Sequence, residues 1–413
     1  MLEAAGLRFA AGRGRVLLVA AGKAAVPMAR AAERALGPGL SGGVAVTSVE
    51  APDLERVLVR SASHPVPDSR GLAAAREIED LVSELGRDDL LIVLLSGGAS
   101  ALLPAPAEGL TLDDKQCTTS GLLRGGATIH ELNSVRKHLS RLKGGGLARA
   151  AAPARVLTLV LSDVVGDDLS TIASGPTVPD PTTHADALAV LAHRGLLGEV
   201  PRAVRAHLEA GARGEVPETP KPGERIFRRV ATQVIGSTRL SVAAAAREAR
   251  RQGLRPIVLT TRLEGEAREA ARVLVAILRE AAETAHPSAR PVCLLAGGET
   301  TVTVVGSGQG GRNQEMAVSA AEALAGFPAP AVVASFGTDG IDGMSDAAGG
   351  VVDDRTTTRA AALGLAPPRA FLAANDTRNF LGPLGDLIVT GPTGTNVCDV
   401  VLLLAGRSRG RRL

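Results

Sequence analysis

The sequence predicts an α/β protein of two domains, and three observations carry that prediction. Short, wholly apolar runs recur along the 413 residues, amphipathic stretches rich in Ala, Arg and Glu separate many of them, and polar, glycine-rich clusters follow the runs. Apolar runs alternating with helical periodicity are the pattern of parallel strands covered on both faces. The length suits two domains at roughly 100–200 residues each.

In order, strands are predicted at 16–21, 90–95, 156–161, 230–235, 257–259, 292–296, 332–335, 387–389 and 400–404, each closed by Gly, Ser, Thr or Asp. Helical spacing marks 71–85, 241–252 and 264–282. Between them, residues 211–224 hold three prolines, three glycines and scattered charges, with little to bury, and read as a linker or exposed loop. One domain is therefore expected over 1–222 and the other over 223–413, with a last strand that can return to the first sheet.

Composition excludes several classes of function. With 45% hydrophobic and 22% charged residues the chain can build a sizeable core, almost entirely of Ala, Val and Leu. Six Phe and no Trp or Tyr leave no stacking platform for single-stranded nucleic acid. The net charge is only +3, and no basic stripe carries interleaved aromatics, so nucleic acid is not an expected partner. The terminal arginines 407, 409, 411 and 412 read as a solvated tail. Three scattered cysteines without metal-ligand spacing fit a reducing, cytoplasmic setting. No leader pattern and no apolar stretch of roughly 18 residues occurs, so a soluble protein is expected, as a monomer or small homo-oligomer.

Polar residues fall immediately after strands, where open α/β sheets bind ligands. Lys23 follows the first run beside Gly22 and opens an Ala-rich helix, a place to meet phosphate; it is no Walker A loop, since Leu17 and Ala24 stand where Gly and Ser or Thr belong. Ser96-Gly97-Gly98-Ala99-Ser100 is a second strand-to-helix turn whose glycines allow close backbone approach. It is not a nucleophile elbow, because Leu102 replaces the second glycine. Over 132–146, Val135, Leu139 and Leu142 form a buried helical stripe, and Lys137 and Arg141, four apart, share a face; a solvated helix is the plainer reading. Asp163, Asp167 and Asp168 gather after a wholly apolar strand, as a Mg²⁺ ligand, a proton acceptor or a helix cap would. Gly306, Gly308 and Gly311 match a dinucleotide fingerprint expected between a strand and a helix, but no acidic residue ends the next strand; the loop is read as delivering Arg312 to an anion. The carboxylates over 337–346 do not fit an EF-hand, and a turn rich in caps is the alternative.

Together these segments resemble the glycerate 2-kinase family whose C-terminal half is the MOFRL domain. The resemblance rests on Gly22-Lys23-Ala24-Ala25, Ser63-His64-Pro65-Val66-Pro67-Asp68, Leu95-Ser96-Gly97-Gly98-Ala99-Ser100, Asn133-Ser134-Val135-Arg136-Lys137-His138-Leu139, Leu161-Ser162-Asp163-Val164 and Ala173-Ser174-Gly175-Pro176-Thr177. It continues through Gly297-Gly298-Glu299-Thr300-Thr301-Val302, Gly311-Arg312-Asn313-Gln314-Glu315, Gly337-Thr338-Asp339-Gly340 and Thr390-Gly391-Pro392-Thr393-Gly394-Thr395-Asn396-Val397, in the family's order. Against that pattern the chain starts late, as if short of a leading helix.

The resemblance implies a Rossmann-like first domain, a smaller α/β second domain and an active site in the cleft between them. It implies an ATP- and Mg²⁺-dependent kinase acting on D-glycerate to give 2-phosphoglycerate. Lys23 and Arg312 are then the expected catalytic cations, with Asp163 as base or metal ligand and Asp339 as a second metal ligand. Ser96, Gly97, Gly98, Asn133, Arg136, Lys137, Asp168, Glu299, Thr300, Asp339 and Asn396 are the expected substrate- and nucleotide-binding residues. An NAD(P)H-dependent hydroxypyruvate reductase and a non-catalytic nucleotide-binding protein are the alternatives.

Overall fold

The computed structural model describes residues 14–406, together with the backbone of two short strands, β1 (Leu2–Ala4) and β2 (Leu7–Phe9), which pair antiparallel. The arginine-rich end over 407–412 lies outside the described residues. The chain forms two compact units, and no helix among the described residues is long and apolar enough to cross a membrane.

The first unit is built on six strands: β3 (Val16–Ala21), β4 (Gly42–Thr47), β5 (Val57–Ser61), β6 (Leu90–Leu95), β7 (Arg155–Leu161) and β8 (Val230–Gly236). Their order across the sheet is β5-β4-β3-β6-β7-β8, with β5 to β7 parallel. Counted from β3, this is the 3-2-1-4-5-6 order of doubly wound nucleotide-binding sheets, and its direction of winding reverses between β3 and β6. Leu18, Ala20, Leu90, Ile92 and Leu94 pack on Ala25, Val26 and Ala29 of the helix Ala25–Leu36. The alternate residues Leu17, Val19, Leu91 and Val93 are buried too, so both faces of the sheet are covered.

A second layer of the unit is helical. Leu122, Leu132, Val135, Leu139, Ala187, Leu191, Val204 and Leu208 form one cluster, drawn largely from the helices Leu112–Arg124, Ile129–His138, His184–His193 and Arg202–Ala212.

The second unit holds β9 (Arg255–Leu263), β10 (Val292–Gly298), β11 (Ala331–Gly337), β12 (Gly349–Asp353), β13 (Leu387–Ile388) and β14 (Asp399–Ala405), in the order β13-β12-β11-β14-β10-β9. Val292, Leu294, Ala296, Val401 and Leu403 face the helices Ala267–Thr284 and Arg312–Ala323. Cys293, Leu295, Leu402 and Leu404 face the helix Thr238–Arg251 on the other side.

Three expectations are corrected here. This second sheet is mixed: only β9 and β10 pair in parallel, while β14 is antiparallel to both β10 and β11. Its strands read as wholly apolar because helices cover both faces, and burial rather than strand direction sets that pattern. The first unit also runs on to Ile235 rather than ending at 222, because β8 joins its sheet, and residues 163–166 belong with the second unit. The segment 211–224 is accordingly no linker: Thr219 is buried, donating to Asp180 Oδ2 at 3.0 Å. Finally, the last strand, β14, stays in the second sheet. The pattern reading missed β4, β5 and β12, which are short and diluted by glycine or charge.

Candidate active site

In the first unit the loops after β3 and β6 meet where the winding reverses. The Lys23 N–H donates to the Gly97 carbonyl at 2.8 Å, and the Ala24 N–H donates to Ser96 Oγ at 3.0 Å. Gly22 (φ +123°) permits this approach, since a Cβ there would lie 2.2 Å from Ser96 Oγ. The Lys23 side chain itself is exposed. Beyond Gly98 the chain turns into the short helix Ala99–Leu102, and Ser100 Oγ lies 2.7 Å from Ser174 Oγ. Ser174 in turn donates to Asn133 Oδ1 at 3.0 Å. Asn133 is 3% exposed, and its Nδ2 has no hydrogen-bond partner. A buried donor left open in this way is costly unless something else satisfies it.

Cations dominate the helix Ile129–His138 and its surroundings. Arg136 is half-buried and makes no hydrogen bond or ion pair among the described residues. Lys115 and Lys143 are buried nearby, donating to backbone carbonyls, of Leu139 at 2.9 Å and of Ser100 at 2.7 Å. Burial first, then the charges of Arg136 and Arg141, brings the Lys115 ammonium down to about 7. Burial, with Arg136 and Lys115, holds Lys143 well below the usual lysine range.

Lys137 departs from its expected role. It is buried and bonded to Ser170 Oγ and to Asp180 Oδ1, at 2.5 and 3.4 Å. The helix ends at His138, so Lys137 and Arg141 do not share a helical face; Arg141 pairs instead with Glu79. Asp168 accepts from Ser170 N–H at 2.9 Å and from Thr171 Oγ1 at 2.7 Å, which makes it the cap of a turn beneath Lys137.

In the second unit the polar residues gather around Arg312, the first residue of the helix Arg312–Ala323. Asp399 takes the guanidinium in a two-pronged grip, from Nε at 2.6 Å and Nη2 at 3.0 Å, while Nη1 lies 3.0 Å from Glu299. Burial lowers the basicity of Arg312, but Asp399 and Glu299 outweigh it and hold the charge firmly in place. Glu299, at the end of β10, is pushed up by burial, lowered by Arg312, and raised again by the charges of Asp399 and Asp163. Asp163 is fastened through its carbonyl, which accepts from Cys398 Sγ at 3.1 Å. A Cβ on Gly337 would lie 3.0 Å from Asp339 Oδ1 and 3.4 Å from Asp399 Oδ1, so Asp339 borders the same group. Burial and the charges of Asp399 and Asp163 raise Glu299, and a group whose donors are all oxygen suits a hard divalent cation such as Mg²⁺. Thr300 is buried next to Glu299, and Asn396 turns its Oδ1 back to Cys398 N–H at 2.9 Å, within the same loop.

The glycine-rich loop is not a dinucleotide turn. Residues 303–305 form no strand, and the glycines are there for close packing against their own chain. A Cβ would meet the Ala374 carbonyl at 2.2 Å from Gly306, Thr377 Oγ1 at 2.1 Å from Gly310 and Asp342 at 2.4 Å from Gly311. The helix N-terminus is already filled: Asp342 accepts from Asn313 N–H at 3.0 Å and Gln314 N–H at 2.8 Å.

Sequence reasoning therefore placed Lys23, Ser96, Gly97, Gly98 and Asn133 in one connected group of the first unit. Asp163, expected in the first domain, falls instead in the second unit with Glu299, Arg312 and Asp339. Sequence reasoning missed Asp399 and Lys115. An aspartate directly ahead of an apolar run was the available signal for Asp399.

Known proteins bear on both groups. A family model described as a domain of unknown function (DUF4147) matches residues 3–209, and the MOFRL family model matches residues 292–399. Over 401 residues the chain is 43% identical to a glycerate 2-kinase of Pyrococcus horikoshii, covering 97% of this chain and 89% of that one. Over 399 residues it is 45% identical to a putative hydroxypyruvate reductase of Agrobacterium vitis, covering 95% and 88%. The crystal structure of a glycerate kinase from Thermotoga maritima matches it with a TM-score of 0.88 at 43% identity, covering 95% of this chain and 92% of that one.

Proposed function

We propose, from the premise that this chain belongs to the glycerate 2-kinase family, that it transfers the γ-phosphoryl group of ATP to the 2-hydroxyl of D-glycerate. The observation that carries the substrate half is a pair of open donors. Asn133 Nδ2 and the Arg136 guanidinium, three residues apart on one helix, both lack partners among the described residues. A small carboxylate satisfies both, and its charge favours the protonated form of the carbonyl-bound lysines beneath them.

Phosphoryl transfer asks for positioning and charge neutralisation more than for covalent chemistry. Lys23, exposed where the strand order reverses, takes up charge on the phosphates. Arg312, kept rigid by Asp399, offsets charge on the transferring group. Asp163 accepts the proton that the glycerate hydroxyl loses as its oxygen bonds to phosphorus and the bond to the ADP oxygen breaks. Asp163 and Asp339 are the residues that would hold Mg²⁺, which would neutralise the nucleotide phosphates when bound.

The reductase alternative rested on Gly306, Gly308 and Gly311, and that loop is filled by Ala374, Asp376, Thr377 and Asp342. A coupled assay with ATP, Mg²⁺ and D-glycerate, read by ³¹P NMR, decides. A 2-phosphoglycerate signal, lost in Lys23→Ala and Arg312→Ala, is expected. A 3-phosphoglycerate signal would overturn the regiochemistry, and NADH oxidation by hydroxypyruvate without ATP consumption would overturn the kinase.

A further inference from the structure

Helices of the first unit converge on a group of histidines that the phosphoryl transfer does not use. His138 ends one helix, His184 opens another, and Glu218 reaches them from the loop beyond the helix Arg202–Ala212. His138 Nε2 lies 3.1 Å from Glu218 Oε2, and His184 Nδ1 lies 3.2 Å from Glu218 Oε1. These donor atoms all fall within 4.8 Å of one another, and both imidazoles are at least 97% buried.

The hydrogen bonds decide which nitrogen of His138 faces the site. Its Nδ1 is 2.7 Å from the Ser134 carbonyl, which can only accept, so Nδ1 carries a proton. Nε2 points at the Glu218 carboxylate, the side of the ring on which a cation can replace the hydrogen bond. His184 Nδ1 lies 3.2 Å from the same carboxylate in a geometry that makes no hydrogen bond. Two electron-rich imidazole nitrogens and a carboxylate aimed at one point make a donor set for a metal ion.

We propose that His138 Nε2, His184 Nδ1 and the Glu218 carboxylate bind one divalent transition-metal ion of the zinc class. The Ser134 carbonyl fixes the His138 ring as second-layer partners do in such sites. Gly211 makes room for the other ring, since a Cβ there would lie 2.2 Å from His184 Cγ. The remaining coordination position opens on a cavity of about 490 Å³ that His138, His184 and Glu218 line. Neighbouring groups are compatible. Lys221 Nζ sits 3.0 Å from Glu218 Oε2, whose second lone pair stays available, and Asp180 Oδ2 is 4.0 Å from His138 Nε2. The ion ties the helix carrying Asn133 and Arg136 to the helix His184–His193 and to the 213–224 loop, so its role is to hold that helix in place.

The test uses the full chain, stripped with a chelator and titrated with Co²⁺ and then Zn²⁺ in the absence of nucleotide. One equivalent of Co²⁺, with the strong visible absorption of a four-coordinate site, displaced by Zn²⁺ and raising the unfolding temperature, is expected. His184→Gln and Glu218→Gln should each weaken binding by about 100-fold or more. Should either variant fail to fold, pulsed EPR of the Cu²⁺-loaded wild-type chain gives the answer through couplings to two imidazole nitrogens. A folded chain that binds no metal, with His138 merely taking a second proton, overturns the proposal. So does affinity unchanged in both variants, or a copper spectrum without two imidazoles.

Discussion

Replacing Asp342 by alanine tests whether a loop carboxylate sets the position of Arg312. Asp342 is 2% exposed and accepts four hydrogen bonds. The backbone N–H groups of Asn313 and Gln314 donate at 3.0 and 2.8 Å, and their side-chain amides at 3.3 and 3.1 Å. The residue at the N-cap position is Gly311, which has no side chain to offer, so the cap comes from 29 residues downstream in the chain. Losing a capping side chain costs about 0.5–2 kcal/mol. Each buried donor left unpaired adds about 1–3 kcal/mol. Against this stands the relief of a buried carboxylate, whose pKa burial pushes upward. A net loss of about 3 kcal/mol follows, or roughly 100-fold in the local opening equilibrium.

Two units need not unfold together, so the readout should be local. Hydrogen exchange over the helix Arg312–Ala323 should quicken by roughly 100-fold in Asp342→Ala, with the first sheet unchanged. Asp342→Asn keeps one acceptor oxygen and should recover much of the protection. Because Arg312 opens this helix, kcat should fall in the alanine variant more than KM rises. Exchange altered by less than about fivefold would refute the reasoning and return the cap to water.

Gly211→Ala should destabilise by about 1–2 kcal/mol, opposite in sign to the usual gain at a helical glycine, because its Cβ would enter the His184 ring; a raised melting temperature would contradict this. Lys115 has a folded pKa of about 7 against 10.5 in the open chain, so between those values the unfolded state binds more protons and stability rises with pH. Wild-type stability should therefore climb relative to that of Lys115→Met from about pH 7 upward, and parallel profiles of the denaturation midpoints would count against the buried charge. Arg312→Lys keeps the charge but loses the paired N–H groups that Asp399 holds, so kcat/KM should drop by about 100-fold with circular dichroism unchanged. Near-normal turnover would remove Arg312 from the transfer step.

Much of this site was legible because strand ends announce themselves. The runs 16–21 and 90–95 match β3 and β6 to the residue, and the glycines that follow them are required by the contact of Gly22 with Ser96. The dinucleotide reading of 306–311 failed for a related reason. Close backbone approach favours glycine whatever approaches, and here the neighbour is Ala374 or Asp342 rather than a pyrophosphate. Lys137 illustrates a different limit. Its helical spacing with Arg141 is arithmetically sound, but the helix stops at His138, and Asp180, 43 residues away, claims the ammonium. Asp399 escaped because its partner Arg312 lies 87 residues earlier, and no local pattern encodes a pairing at that distance.

The two units differ in how they hold charge, and the difference bears on what each can bind. Around Arg312 every cationic contact is answered by a carboxylate, so an anion arriving there must compete with Asp399 or arrive with a cation of its own. ATP with its magnesium does the latter. In the first unit the buried side chains of Lys115 and Lys143 are answered only by carbonyls, and Arg136 by nothing among the described residues. A bare carboxylate needs no accompanying metal at such a place. A carboxylate substrate at Arg136, as proposed, should therefore be indifferent to Mg²⁺ while the nucleotide is not. Calorimetry of D-glycerate binding with and without Mg²⁺ separates the two, and glycerate affinity that collapses with chelator would reverse the assignment of the two halves.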